Sequence, residues 1–386
     1  MTFSKIFGQE TIFARLLELI REERADSSYI FTGPRGVGKW AYGLRFISAY
    51  CCEDKSKRPC GICENCKAVA KFKHPDIQFL FPFPNIDASK KQVTVFPFSD
   101  PASGAKFSQT TAEEVQRFLR EKAEDPYRIV RFEAKTNIPV DVVRDLRKFL
   151  SLRPMWGGKK AVLMSDIENM APHCTDLLLK TIEEPPRDTA IILTSSTPER
   201  LPITIISRCR VFAFGALDEN EVRQYLSSLF KGAKLDYRFI NRASGFSPGV
   251  ARALVEQDAV SLRDKVLSLM KSAIKDHSYF DNSFIRFESG FDLVGEGINV
   301  LTLLAWILRD IVVMHSGGGV EEIINCDRAE IMAGLANQLP AAEAQGLLED
   351  LGDIKIALEH SNVMPTTASR HLLAVMRRRM THATMA

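Results

Sequence analysis

The sequence has no apolar run of the length that a membrane-spanning helix needs, which is about 18 residues or more. Its first residues, MTFSKIFGQE, lack the basic stretch followed by an apolar run that a secretory signal peptide carries. Neither sign of charge dominates, because 51 basic and 48 acidic residues leave a net charge of +3. We therefore expect a cytoplasmic protein without a membrane partner, and charge alone does not indicate a dedicated nucleic-acid binder.

Strand-like segments are confined to the first part of the chain. There, short apolar segments alternate with helical ones, which predicts a parallel sheet covered on both faces. The strands are expected in SSYIFTG, IQFLF, GKKAVLMS and TAIILTSS. From Asp218 onward the segments are helical, so the predicted fold class is α/β followed by all-α. At 386 residues the chain is long enough for two or three domains.

One stretch interrupts the alternation of strands and helices. Between Phe83 and about Arg128 the sequence has prolines, the Ser/Gly-containing run SDPASGAKFSQ, and then the charged helical segment TAEEVQRFLREKAED. Prolines and serine/glycine runs are typical of loops, and the helical segment carries few apolar anchors. The stretch is therefore interpreted as an insertion that lies outside the sheet.

Five of the eight cysteines fall within residues 51–66. Such clustering in a reducing compartment indicates a metal site and not a disulfide framework. Cys60, Cys63 and Cys66 are separated by two-residue gaps, and four thiolates in this arrangement can close around one tetrahedral zinc ion. The spacing leaves Cys51 and Cys52 as alternatives for the fourth ligand. A closed four-sulfur site has no open coordination position, so its predicted role is structural.

The segment GPRGVGKW follows the pattern of a phosphate-binding loop up to its last residue. Gly33, Gly36 and Gly38 allow the backbone to surround phosphate oxygens with N–H groups, and Lys39 adds a positive charge. The pattern ends in Ser or Thr because that hydroxyl binds the magnesium ion of the nucleotide. Trp40 has no such oxygen.

The acidic pair of an ATPase is also incomplete. In VLMSDIENM the magnesium aspartate and the water-polarising glutamate would be replaced by Ser165 and Asp166. If the register shifts by one residue, Asp166 becomes the magnesium ligand and Ile167 takes the place of the base. Two independent losses around one magnesium ion predict a chain without magnesium-dependent ATP hydrolysis.

Taken together, these motifs resemble the AAA+ clamp loader subunits of bacterial DNA polymerase III, over about residues 1–250 without the insertion. The resemblance is carried by GPRGVGKW, C-x8-C-x2-C-x2-C, HPD at 74–76, LLLKTIEEPP at 177–186 and ITIISRCR at 203–210. In that family an intact loop and acidic pair are typical of the gamma/tau motor subunits. Loss of both, with the SRC motif kept, is typical of the delta-prime type.

The resemblance implies specific roles. Arg208 of the SRC motif would act in trans on the ATP of a neighbouring subunit, and this chain would have no catalytic activity of its own and is not expected to bind ATP. Cys51 would be the fourth zinc ligand, and Ser195, Ser196 and Arg252 are candidate sensor residues. The implied partners are the gamma/tau and delta subunits, with the sliding clamp and primed DNA reached through the complex.

The resemblance also implies three domains. An AAA+ α/β domain would span 1–216, with a zinc module at about 51–66 and the insertion at about 83–128. A helical lid would follow at 217–276, and a helical oligomerisation (collar) domain at 277–386. Two other functions stay open, namely an active gamma/tau-type ATPase and a zinc-containing nucleic-acid-binding protein with a vestigial phosphate loop.

Overall fold

The computed structural model describes residues 6–84, 92–94, 106–130, 132, 136–156, 158–171, 174–275, 299–360, 371–372, 374–376 and 378–379. These residues form two compact units. The first unit is Met1–Leu229 with Ser247–Val250, and the second is Phe230–Phe246 with Ala251–Ala386.

The first unit is built around a parallel sheet. Its described strands are β1 (Ser28–Thr32), β2 (Ile77–Leu80), β3 (Phe83–Pro84), β4 (Gln92–Thr94), β5 (Lys106–Ser108), β6 (Thr136–Asn137), β7 (Lys160–Met164), β8 (Thr189–Ser195) and β9 (Arg210–Ala213). Five of them form the sheet in the order β2–β7–β8–β1–β9, and all neighbours are parallel. Every residue of β2, β7 and β8 is buried, as expected for parallel strands covered on both faces.

Helices cover this sheet. In the first unit they are α1 (Glu10–Arg21), α2 (Lys39–Tyr50), α3 (Glu64–Ala70), α4 (Gln109–Glu124), α5 (Val140–Ser151), α6 (Cys174–Glu183), α7 (Ile203–Ile206) and α8 (Glu219–Leu229). Helix α1 buries Phe13, Leu16 and Ile20, which are spaced to share one face. Helix α2 is buried on all sides except at Arg45, so the helix that follows the glycine-rich loop is enclosed in the core.

The described part of the insertion stays outside the five-stranded sheet. Strands β4 and β5 pair with each other, and β3 pairs with β6. Helix α4 contacts the domain through Phe118, whose ring stacks on Phe81 at a centroid distance of 3.8 Å. The predicted insertion therefore packs onto its host domain through an aromatic contact.

The second unit is helical throughout its described residues. Its helices are α9 (Tyr237–Ala243), α10 (Pro248–Glu256, whose first residues belong to the first unit), α11 (Ala259–Lys275), α12 (Val300–His315), α13 (Ala329–Ala336) and α14 (Ala341–His360). Helix α12 lies at the centre of its core, with Leu303, Ile307 and Ile311 fully buried. None of the described helices is long and apolar enough to span a membrane.

The predicted fold class, α/β followed by all-α, is confirmed. All four predicted strands of the sheet are present as β1, β2, β7 and β8. The division at residues 216 and 276 stays a prediction: the first unit continues to Leu229, and residues 276–298 lie outside the described residues.

Candidate functional site

The glycine-rich loop connects β1 to α2, at the carboxyl end of the sheet. Gly33 and Gly38 have φ angles of 136° and 106°, in a region that residues with a side chain rarely adopt. A Cβ atom at Gly33 would also lie 2.1 Å from the carbonyl oxygen of Phe214. The loop therefore has the compact conformation for which its glycines are needed.

Lys39 is bound to its own loop. Its ammonium donates to the carbonyl oxygens of Gly33 (2.6 Å) and Pro34 (2.7 Å), and to Oγ of Ser196 (3.0 Å). Burial lowers the pKa of Lys39 to about 8, against the opposing effect of the Asp166 and Glu168 carboxylates. Since an ammonium has three N–H donors, protein acceptors use all of them in this conformation.

Trp40 lies in an aromatic cluster at the start of α2. Its ring centroid is 5.6 to 6.3 Å from those of four phenylalanines, Phe72, Phe79, Phe81 and Phe118. The residue is 6% exposed, and its indole N–H has no partner among the described residues. Apolar rings thus surround the position where an active loop has its metal-binding hydroxyl.

The remnants of the acidic pair follow β7. Ser165 and Asp166 both line a pocket beside the glycine-rich loop, whereas Ile167 is buried at 1% exposure. The structure thus places Ser165 and Asp166 beside the loop, whereas the Ile167 side chain does not line this pocket. Asp166 has a left-handed backbone (φ 50°), and burial, then the nearby Glu168 carboxylate, raise the pKa of its side chain.

The candidate sensor residues fall into two groups. Ser195 is the last residue of β8, and its hydroxyl accepts from the backbone N–H of Thr197. Ser196 follows the strand and accepts from Lys39 of the loop. Arg252 pairs with Glu256 one turn further along α10 (2.9 Å). Within the first unit, the structure therefore brings Ser196 to the loop.

Arg208 lies on the surface of the first unit, directly after α7. Its Nε donates to Oε2 of Glu183 (2.7 Å), and its Nη1 donates to the carbonyl oxygen of Thr204 (3.0 Å). Glu183 ends α6 and belongs to LLLKTIEEPP, so two separate motifs of the sequence meet at this guanidinium. The side chain keeps 33% of its surface exposed, which leaves it accessible to another molecule.

Four cysteines converge next to α3. The sulfur atoms of Cys52, Cys60, Cys63 and Cys66 all lie within 4.8 Å of one another. Backbone N–H groups point at these sulfurs, since Cys60 donates to Sγ of Cys52 and Cys63 donates to Sγ of Cys60. Such donors stabilise thiolates, which are the form that binds metal, so the donor set fits a tetrahedral zinc ion.

The fourth member of this cluster is Cys52, which corrects the expected Cys51. Helix α2 ends at Tyr50, and Cys51 still has a helical backbone as its C-cap. Its thiol is buried, and burial raises its pKa to about 12. Its carbonyl oxygen accepts from the side-chain amide of Asn65 (2.9 Å). The chain leaves the helix one residue later, so Cys52 is the residue that faces the other thiols.

Two residues that line the pocket beside the glycine-rich loop had no predicted role in the sequence analysis. Lys122 and Tyr127 come from the end of the insertion, and both line the pocket beside the glycine-rich loop. Tyr127 contacts Phe7, which is 120 positions away along the chain. No local pattern could have indicated that contact.

The parallel sheet with a glycine-rich loop after β1, followed by helices, defines a protein of the AAA+ class. The family described as "DNA polymerase III, delta subunit" matches residues 8–218, which is more than half of the chain. The chain belongs to this family.

Two relatives share between a quarter and a third of their aligned residues with this chain. The chain is 27% identical to DNA polymerase III subunit tau/gamma of Haemophilus influenzae over 271 residues, which cover 69% of this chain and 31% of that protein. It is 28% identical to subunit delta' of Escherichia coli over 232 residues, which cover 60% of this chain and 67% of the relative. The chain spans 31 to 57% of the length of the tau and tau/gamma relatives.

A solved structure of a gamma subunit-related protein from Thermotoga maritima covers 95% of this chain and 99% of its own, with a TM-score of 0.41 and 15% identity.

Proposed function

We propose that this chain is a delta-prime-like subunit of the DNA polymerase III clamp loader. In this role it helps to load the sliding clamp on primed DNA and supplies Arg208 to the ATP site of a neighbouring subunit. It does not hydrolyse ATP itself. Its partners are the gamma/tau and delta subunits, and it meets the clamp and the DNA through the complex.

The observation that carries this proposal is the burial of Trp40. Magnesium-dependent phosphoryl transfer needs an oxygen ligand at this position of the loop, and Trp40 instead packs among four phenylalanine rings. The neighbouring Lys39 donates to protein oxygens. Both features support a subunit that has given up hydrolysis while keeping the fold.

Arg208 supports the second half of the proposal. A guanidinium is always charged and offers a planar set of donors that matches phosphate oxygens. Glu183 and the Thr204 carbonyl hold Nε and Nη1 of Arg208, and the side chain stays partly exposed. An arginine oriented by its own chain and accessible at the surface is suited to act on a phosphate of another subunit.

We further propose that Cys52, Cys60, Cys63 and Cys66 hold one structural zinc ion. The four-sulfur set is closed, so the ion would stabilise the segment between α2 and β2 and take no part in a reaction. Metal binding of this kind contributes directly to the free energy of folding.

The decisive experiment reconstitutes the loader from its own subunits with wild-type chain, Arg208→Ala or Arg208→Lys. Arg187→Ala is the matched control, because Arg187 is an exposed arginine four residues after Glu183. Assembly is followed by size exclusion, and DNA-stimulated ATP hydrolysis is measured on the assembled complex. We expect Arg208→Ala to assemble normally and to lose turnover at one site by about 10³-fold or more.

Arg208→Lys should recover only part of that loss, because an ammonium keeps the charge and cannot make the two-pronged contact. Normal assembly with unchanged hydrolysis in Arg208→Ala would refute the trans role. Loss of assembly would make Arg208 a structural residue. ATP hydrolysis by the isolated wild-type chain would instead favour an active gamma/tau-type subunit.

A further inference from the structure

One part of the wall of the pocket beside the glycine-rich loop is formed by a segment that follows the insertion helix α4. We call residues 125–130, which follow α4, the strap. Four of its six residues line the pocket, and Phe118 and Lys122 of α4 line it next to them. The opposite side is formed by the loop, including Gly36, Gly38 and Lys39. The end of the insertion and the glycine-rich loop therefore line the same pocket.

Tyr127 is the central residue of the strap. It is 2% exposed, and its hydroxyl donates to the carbonyl oxygen of Phe7 (2.6 Å) and accepts from the Phe7 N–H (2.8 Å). Its ring lies against the loop, because a Cβ atom at Gly38 would be 2.7 Å from Cε1 of Tyr127. The Tyr127 side chain thus combines an aromatic face against the loop with hydrogen bonds to both polar groups of one backbone residue, which are the kinds of contact that a bound base makes.

Several contacts hold the strap in this position. The buried Asp125 accepts from the Tyr127 N–H (2.9 Å) and from the hydroxyl of Tyr225. The Tyr225 ring lies 5.2 Å from that of Tyr127. A Cβ atom at Gly249 would be 2.4 Å from the carbonyl oxygen of Tyr127, so only glycine permits this approach.

Lys122 fixes the strap from the side of α4. Its ammonium donates to the carbonyl oxygens of Arg128 (2.7 Å) and Pro126 (3.3 Å), and it lies 5.6 Å from the centroid of the Trp40 ring. The charge that Lys122 brings into the pocket is thus engaged by strap carbonyls and an aromatic face.

We propose that the strap, through the Tyr127 ring packed on Gly38, takes the place of the base of a nucleoside triphosphate and keeps the loop closed to the nucleotide. This goes beyond the loss of hydrolysis. Trp40 and Ser165 remove the magnesium ligands, but a loop without them can still bind the phosphates of a nucleotide. The strap excludes the binding itself, and this holds whether or not the chain acts in clamp loading.

The test is equilibrium binding of ATP to the purified full-length chain by calorimetry, with magnesium and with chelator. For the wild type we expect a dissociation constant above about 1 mM. Tyr127→Ala removes the ring, and Lys122→Met releases the strap carbonyls while keeping an apolar stem. Each should raise the association constant about tenfold or more.

Two matched controls separate occupancy from general damage. Tyr127→Phe keeps the ring and loses the two hydroxyl bonds, so the pocket should stay closed. Arg120→Ala removes an exposed cation from the same helix and should leave binding unchanged. Circular dichroism checks the fold of each variant, and Lys122→Met carries the test if Tyr127→Ala does not fold.

ATP binding by the wild type with a dissociation constant below about 0.1 mM would overturn the proposal, whatever the variants do. Folded variants that bind no better than the wild type would also overturn it, since the pocket would then be closed by something other than the strap. Binding by the variants together with no binding by Tyr127→Phe supports it.

Discussion

Trp40 cannot bind the magnesium ion of a nucleotide, but its side chain has a packing role in the fold. It has replaced a metal ligand, yet its ring joins α2, β2 and the insertion helix α4 through Phe79, Phe81 and Phe118. The sequence predicted the chemical loss from the missing hydroxyl alone. The packing role could not be predicted, because it depends on aromatic residues that are distant along the chain.

Trp40→Thr should therefore leave ATP hydrolysis absent and lower the stability of the folded chain. Hydrolysis stays absent because Ser165 still lacks the carboxylate that binds magnesium. The truncation leaves a cavity among four phenylalanine rings, and the free energy of unfolding should fall by about 3–5 kcal/mol. Chemical denaturation measures the second effect and a phosphate-release assay the first. Trp156→Thr, at an indole that is 37% exposed, is the control and should cost much less.

The buried Lys39 gives a second prediction at the residue scale. Burial holds its pKa near 8 in the folded chain, below its usual value of 10.5, and Arg35 adds to this while Asp166 and Glu168 oppose it. Between these two pKa values the unfolded chain binds a proton that the folded chain does not, so stability rises with pH. Buried cysteines oppose this trend above about pH 9 and buried tyrosines above about pH 10, because Cys209 and Tyr29, for example, have raised pKa values.

From pH 8 to 9.5 the Lys39 contribution should amount to about 1.5 kcal/mol. Denaturant unfolding at both pH values measures the change for the wild type, for Lys39→Met, and for Lys231→Met at an exposed lysine. The change in the free energy of unfolding from pH 8 to 9.5 should be less positive in Lys39→Met than in the wild type. In Lys231→Met it should equal that of the wild type. An equal change in the free energy of unfolding with pH in all three proteins would contradict a contribution from Lys39.

At the scale of elements, burial decided what could be predicted. Strands β1, β2, β7 and β8 are almost fully buried, so each is a continuous apolar segment in the sequence. Strand β9 was not predicted because it has four residues and two of them are exposed. The strap was also missed: it is a turn without a motif, and only its distant contacts with Phe7 and Gly249 give it a position.

The fourth cysteine is a case in which spacing alone was insufficient. Cys51 and Cys52 are adjacent, so either fits the pattern, and the exact end of α2 decides which thiol reaches the cluster. Helix ends are difficult to predict to within one residue. Substitution of Cys51 is therefore a matched control for substitution of Cys52.

Purified wild-type chain should carry about one zinc ion per molecule by elemental analysis. Cys52→Ser should lower the zinc content and the melting temperature, because it removes a ligand from a site that contributes to folding. Cys51→Ser should retain the zinc. The reverse outcome would return Cys51 to the site, and a fully stable wild-type protein without zinc would remove the site altogether.

For the whole molecule, the question is whether the chain acts alone or only within a complex. Trp40 and the strap both pack beside its own loop, whereas Arg208 stays at the surface. A net charge of +3 from 51 basic and 48 acidic residues gives the isolated chain little long-range attraction to nucleic acid. Both features are consistent with a subunit whose function depends on its neighbours, and both argue against a zinc protein that binds DNA by itself.

This distinction can be measured by fluorescence anisotropy with labelled primed DNA. The isolated chain should bind only weakly, and its affinity should change little between 50 and 200 mM salt because few phosphates are neutralised. A protein that contacts six to ten phosphates would lose about 10³- to 10⁵-fold over the same range. The reconstituted loader with ATP is the positive control, and it should bind the same DNA in a salt-dependent way. Tight, strongly salt-dependent binding by the isolated chain would favour an independent nucleic-acid-binding protein, because the chain would then contact DNA phosphates without any partner subunit.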